Sequence, residues 1–304
     1  MHTLSILDGP PAVQTLSLHE SLKAVAEKEP DSLAVACLHQ DGEHMYAFTG
    51  SSATASKASS YLRWTHAQLA HAGHQLAIAL LRAGIRPSMR VACFMDLGVE
   101  WHMVLRAAVE LKCPLACLNP KATTSKVEMN HILKIVKPDI IVVQSARHAQ
   151  QLEDVAPEAI STAKMRLVVK NDDLVAGPKA SSAWLKLESF LSQSLESVDD
   201  RHDQAEKTLT DLTYDPDDVV LVLTTSGTTA LPKGCPLTNS VVMSSSMGFI
   251  ELGGLDKSRI KCHGMPLFHC TYLLIQSPSE ASLTRPPIIS LGSIFRLHIP
   301  ARRR

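Results

Sequence analysis

Residues 224–234 read Thr-Thr-Ser-Gly-Thr-Thr-Ala-Leu-Pro-Lys-Gly, five hydroxyls in the first six positions with a glycine among them and a lysine close behind. Glycine lets a backbone approach an anion, amides and hydroxyls donate to its oxygens, and lysine adds a point charge. This is a set of groups for holding phosphate. It directly follows Val219–Leu223, a wholly apolar run that reads as a buried strand, and ligands of parallel sheets collect beyond the carboxyl ends of strands. A Walker-type loop requires glycine before the lysine and Ser or Thr after it, whereas Pro232 and Gly234 hold those places, so that motif is excluded. A Ser/Thr/Gly cluster after a strand is also the composition of an ordinary turn.

A second group is Cys262-His263-Gly-Met-Pro-Leu-Phe-His269-Cys270, two cysteines and two histidines within nine residues. A zinc-binding module is the remote reading of it. Adjacent residues on an extended chain point in opposite directions, and zinc ligands are usually spaced two or more apart, so no metal ligand is assigned.

The elements that must position these groups alternate between two periodicities. Leu69, Ala72, Leu76, Ala79, Leu80 and Ala83 share one helical face over residues 65–83, with Thr65 and Gln68 at capping-box spacing and Gly84 as the stop. A strand is predicted at Val91–Met95, a helix near 98–111, and a strand at Leu115–Leu118 broken by Asn119-Pro120. Ser125 and Glu128 then have the spacing to cap a helix whose apolar side is Met129, Ile132, Leu133 and Val136, ended by Pro138 before the β-branched run Ile140–Val143. A weaker repeat gives a strand at Leu167–Val169 and a helix near 182–192. Helices alternating with short, continuously apolar strands predict an α/β fold of βαβ layers on a parallel sheet.

Composition bounds the rest. The 304 residues are 45% apolar and 20% charged, ordinary for a globular chain, and 30 basic residues balance 30 acidic ones. No strongly basic nucleic-acid binder has that balance, so no nucleic-acid partner is expected. Seven cysteines, an odd number lying mostly in apolar runs, argue against a disulfide scaffold. The amino terminus lacks a basic leader ahead of an apolar stretch, and no apolar run approaches the roughly 18 residues of a membrane helix. A reduced, cytoplasmic chain without a transmembrane segment is expected. Residues 193–218 are polar and acid-rich, and read as a surface excursion or linker.

The complete string TTSGTTALPKG resembles the phosphate-binding signature of the adenylate-forming (AMP-dependent synthetase/ligase) superfamily of acyl-CoA synthetases, luciferases and peptide-synthetase adenylation domains. The family form has glycine where this chain has Ala230, which removes freedom for positive φ. RWTHAQLAHAGHQLAIALLRAGIRPSMRVACFM, AVELKCPLACLNPKATTSKVEMNHILKIVKPDIIVV and MPLFHC resemble further family segments, in family order, from roughly residue 20 to 271.

The resemblance implies the amino-terminal part of such an enzyme, truncated and without its small carboxyl-terminal domain. Residues 1–271 would be a partial AMP-binding domain and 272–304 an unrelated, disordered tail ending in Arg-Arg-Arg, which is not a peroxisomal address, although a full-length relative could carry one. It implies ATP-dependent activation of a small-molecule carboxylic acid as its acyl-adenylate, with Mg²⁺, and then thioester formation with CoA or a carrier-protein pantetheine. Thr225, Ser226, Gly227, Thr228 and Thr229 would hold the ATP phosphates, Lys233 would add charge, and His269 would orient the acyl substrate. The family's aromatic-Gly-x-Thr-Glu segment, ribose-binding Gly-Asp segment and carboxyl-terminal catalytic lysine have no counterpart in these residues. A non-catalytic remnant that binds nucleotide weakly is therefore the alternative.

Overall fold

A computed structural model describes residues 16–51, 59–170, 184–196, 199–225, 231–253, 261–263, 265–270 and 288–290. In chain order the elements are α1 (Leu18–Lys28), β1 (Leu33–Cys37), β2 (Leu62–Thr65), α2 (His66–Arg82), β3 (Val91–Phe94), α3 (Val99–Glu110), β4 (Leu115–Cys117), α4 (Lys126–Val136), β5 (Ile140–Ser145), α5 (Ala146–Val155) and α6 (Pro157–Ser161). Then follow β6 (Met165–Lys170), β7 (Leu185–Lys186), α7 (Leu187–Leu195), α8 (Asp200–Thr210), β8 (Val219–Thr225), β9 (Lys233–Thr238), α9 (Asn239–Gly253), β10 (Lys261–His263) and β11 (Ile288–Ser290).

Local chemistry sets the helix limits. Thr65 and Gln68 form the expected capping box, with the Thr65 amide donating to Gln68 Oε1 at 2.8 Å, and Gly84 takes φ +91° just past α2. Ser17 and Glu20 make a second box at α1. Ser125 caps α4, which ends with Lys137 in the left-handed region ahead of Pro138.

Seven strands form one sheet in the order β7-β6-β5-β3-β4-β8-β9, parallel except for the antiparallel edge pair β8–β9. β3 lies between β4 and β5, so the strand order reverses there, and its carboxyl end opens toward a crevice of the kind that binds ligands in doubly wound folds. Successive strand residues serve opposite faces. Val91, Cys93, Leu115, Cys117, Ile140 and Val142 join the core under α1, α2, α3, α7 and α8. Ala92, Phe94, Ala116, Ile141 and Val143 join the core under α4, α5 and α6. Burial on both faces explains why these strands are continuously apolar.

Two elements lie in stretches where the sequence pattern announced none. The polar stretch 193–218 contains α8, capped by the Asp199 side chain and docked through Ala205 and Leu209, both buried. Only these two apolar residues, at i and i+4, carry the amphipathic signal, and charge hides it. Residues 288–290 form β11, which pairs in parallel with both β1 and β10 in a four-stranded sheet ordered β10-β11-β1-β2. Ile288–Ile289 is a β-branched pair, which suits a strand but is too short to announce one.

Candidate nucleotide and acyl site

β8 and β9 hold the phosphate-type loop by its two ends. Thr225 and Lys233 are register partners at the loop end of the hairpin, and both are exposed. Directly opposed residues in such a pair have Cβ atoms about 5 Å apart, so the Lys233 side chain starts at the neck of the loop. Ser226, Gly227, Thr228, Thr229 and Ala230 lie outside the described residues. Because β8 runs parallel to β4, with Ala116 opposite Val222, Thr225 projects from the carboxyl edge of the sheet. The loop therefore opens at the edge where α/β ligands gather.

Two neighbours fix the far side of the hairpin, and the sequence did not single out either. His131 on α4 donates through Nε2 to the Pro232 carbonyl at 2.9 Å. Gly234 lies against α4 so closely that a Cβ would sit 2.8 Å from Ile135 Cγ2. The glycine after the lysine thus has a packing reason of its own. The only advance signal for His131 was its i, i+4 spacing to Ile135 on α4.

The second wall of the site is the segment Met265–Cys270. Leu267 is buried in the main core and anchors it, while His269 is exposed and its amide donates to the Pro266 carbonyl at 3.1 Å. Met265, Pro266, Leu267 and Phe268 close one side of a cavity of about 310 Å³. Its other side is Met95–Leu97 after β3 and Asn119–Lys121 after β4. Asn119 starts that wall by accepting from the Lys121 amide at 3.0 Å, which opens the 3-10 turn Pro120–Thr124. The cavity and the β8–β9 loop share the carboxyl edge of the sheet, and His269 follows directly on the cavity wall.

A buried polar knot braces the β3 end of this wall. Glu100, 3% exposed, accepts from Gln40 Nε2 at 2.7 Å and from His44 Nε2 at 2.6 Å. Gln40 Oε1 in turn accepts from the Val99 amide at 2.9 Å, standing in for a cap on α3. The Glu100 hydrogen bond lifts the His44 pKa. Burial pushes the Glu100 carboxyl up, but His44 and Gln40 outweigh it and leave it below the ordinary range. The pair of half-buried His44 and buried Glu100 thus links the chain after β1 to the start of α3.

Cys37, Cys93, Cys113 and Cys117 are buried cysteines outside any disulfide; burial raises Cys113 to about 12 and Cys117 well above its ordinary value. They serve as small apolar packing groups. Cys262 and His263 fall in β10, where side chains are outside the described residues. Among the described residues no group of three or more His, Cys, Asp or Glu could hold a metal ion.

The AMP-binding enzyme family model matches residues 23–277, which is most of the chain. The chain belongs to that family. It is 21% identical over 239 residues to an acyl-CoA ligase of Pestalotiopsis microspora, covering 76% of this chain and 40% of that one. It is 29% identical over 211 residues to an oxalate–CoA ligase of Arabidopsis thaliana, covering 69% and 37%. Among solved structures it is similar to the luciferase-like enzyme of the nonluminescent mealworm Zophobas morio, with TM-score 0.65 and 17% identity over 93% of this chain and 56% of that one. It is also similar to the anthranilate CoA ligase AuaEII in complex with anthranoyl-AMP, with TM-score 0.68 and 14% identity over 90% and 44%. The chain thus spans about two fifths of these two curated relatives' length. Both structures share its α/β fold with a mostly parallel sheet.

Proposed function

We propose that this chain supplies the phosphate-holding loop and part of the acyl pocket for ATP-dependent activation of a carboxylic acid. The supporting observation is the loop anchored at Thr225 and Lys233, on the same sheet edge as the cavity closed by Met265–Phe268. In the reaction an oxygen of the carboxylate attacks the α-phosphorus of ATP. The bond from that phosphorus to the bridging oxygen breaks, and pyrophosphate leaves with the electron pair. A thiolate, of CoA or a carrier-protein pantetheine, then attacks the acyl carbon and displaces AMP.

Negative charge grows on the β- and γ-phosphates as the first bond breaks, and preorganised donors stabilise it. Thr225, Ser226, Gly227, Thr228 and Thr229 would supply those donors, and Lys233 a full positive charge. His269 would orient the acid beside the 310 Å³ cavity. The described residues offer no carboxylate cluster for Mg²⁺, so the ion would come with the nucleotide's own phosphates, and no step here is assigned to it.

A second reading rests on the three family segments with no counterpart in these residues: binding of the nucleotide phosphates without turnover. Titration calorimetry with ATP and carboxylate-dependent exchange of pyrophosphate into ATP separate the two. ATP should bind the 304-residue chain, and Lys233→Ala should weaken it by about tenfold, the loss of one charge-assisted contact. Exchange by this chain should be undetectable; robust exchange with a fatty or aromatic acid would establish full ligase activity. ATP affinity unchanged by Lys233→Ala would remove the loop from the phosphate site.

A further inference from the structure

Helix α4 holds the neck of the β8–β9 loop at two points. His131 donates through Nε2 to the Pro232 carbonyl at 2.9 Å. Four residues on, and so on the same face of the helix, Ile135 Cγ2 stands 2.8 Å from where a Cβ on Gly234 would be. Gly234 has no positive φ, so glycine serves the close approach of α4 there and not a turn of the chain.

Strand alternation settles which way Lys233 faces. Gly234, its register partner Thr224 and the neighbouring Val222 present the face toward α4, and Val222 Cγ1 is 3.9 Å from the same Cβ position. Lys233, Thr225, Cys235 and Leu237 present the other face, where Cys235 and Leu237 pack against the core under α2 and α3. The two contacts with α4 therefore grip the backbone on either side of Lys233 and leave its exposed side chain on the opposite face.

A carbonyl oxygen only accepts, so the bond to Pro232 keeps a proton on His131 Nε2. What the side chain supplies is one N–H at that place. Lysine carries its charge on a flexible four-carbon stem, so fixing its backbone confines the charge, and ordering already present in the free chain appears as affinity.

We propose that His131 is a positioning residue for the phosphate-holding loop, setting the place of the Lys233 ammonium group through the Pro232 backbone. The inference rests on the loop holding phosphate as proposed above, and adds a group outside the loop on which its affinity depends.

Titration calorimetry with ATP on the 304-residue chain and its variants tests this, each run below the variant's melting transition. His131→Leu removes the donor and should weaken ATP about fivefold, the loss of one hydrogen bond. His131→Gln, whose amide nitrogen reaches the place of Nε2, should keep the wild-type affinity. In a Lys233→Ala background His131→Leu should cost less than about twofold, because both changes act through one charge. Gly234→Ala should weaken ATP as His131→Leu does, and adding Ile135→Ala should restore it by removing the obstructing methyl group. Unchanged affinity in His131→Leu, a loss that His131→Gln shares, or a full loss repeated in the Lys233→Ala background would overturn the positioning role while leaving the loop its phosphate. Unchanged affinity in Lys233→Ala alone would instead overturn the phosphate reading beneath it.

Discussion

His74 shows how one side chain can tie three helices. It sits on α2, its Nδ1 is 2.6 Å from Glu110 on α3, and its Nε2 is 3.1 Å from Glu206 on α8. The hydrogen bond to Glu110 leads the effects that raise its pKa from 6.5 to about 9, against the opposing effect of burial. A folded-state pKa above the unfolded one means the proton binds the folded chain more tightly. The resulting stabilisation is complete below about 6.5 and disappears as pH rises through about 9. Thermal melts of wild type should therefore lose ground between pH 6.5 and 9.5, and His74→Gln should flatten that part of the profile. Equal slopes in the two proteins would show that the bridge contributes nothing.

At the scale of elements, the close contact of α2 with α3 depends on Gly73. A Cβ there would lie 2.6 Å from Arg106 Cβ, an atom held next to the α3 backbone that has no rotamer to escape into. Alanine in a helix is favoured over glycine by about 1 kcal/mol, whereas overpacking a tight contact costs about 1–3 kcal/mol. The contact term should win, so Gly73→Ala should lower the urea midpoint with a net loss of about 1 kcal/mol. A raised midpoint would mean the helices separate without cost. Periodicity made α2 legible in advance, but a glycine inside it looked only like a weak helix former. Its role exists only against a residue 33 positions away in sequence.

For the molecule as a whole, the four-stranded sheet joins the two ends of the chain. β11 lies between β1 and β10, so each of its residues serves one neighbour or the other. Proline there removes a ladder donor. Ile289→Pro should speed amide exchange at Val35–Cys37 and at Lys261–His263 and leave β3 and β5 untouched. Unchanged exchange in β1 would show that residues 288–290 do not belong to the sheet. No helix among the described residues is long and apolar enough to cross a membrane.

Residue order alone carried the βαβ alternation, the caps at Thr65 and Ser125, and the family to which the chain belongs. Those signals are local: a period of two or 3.6, a capping pair three residues apart, a loop string read in one stretch. Tertiary structure alone decided that His131 would brace Pro232, that Glu100 would be buried against Gln40 and His44, and that α8 and β11 would join the fold. Each of these depends on groups far apart in the chain meeting at hydrogen-bonding or packing distance. Single-sequence patterns hold no record of such meetings, because their energy comes from the partner and not from the neighbours along the backbone.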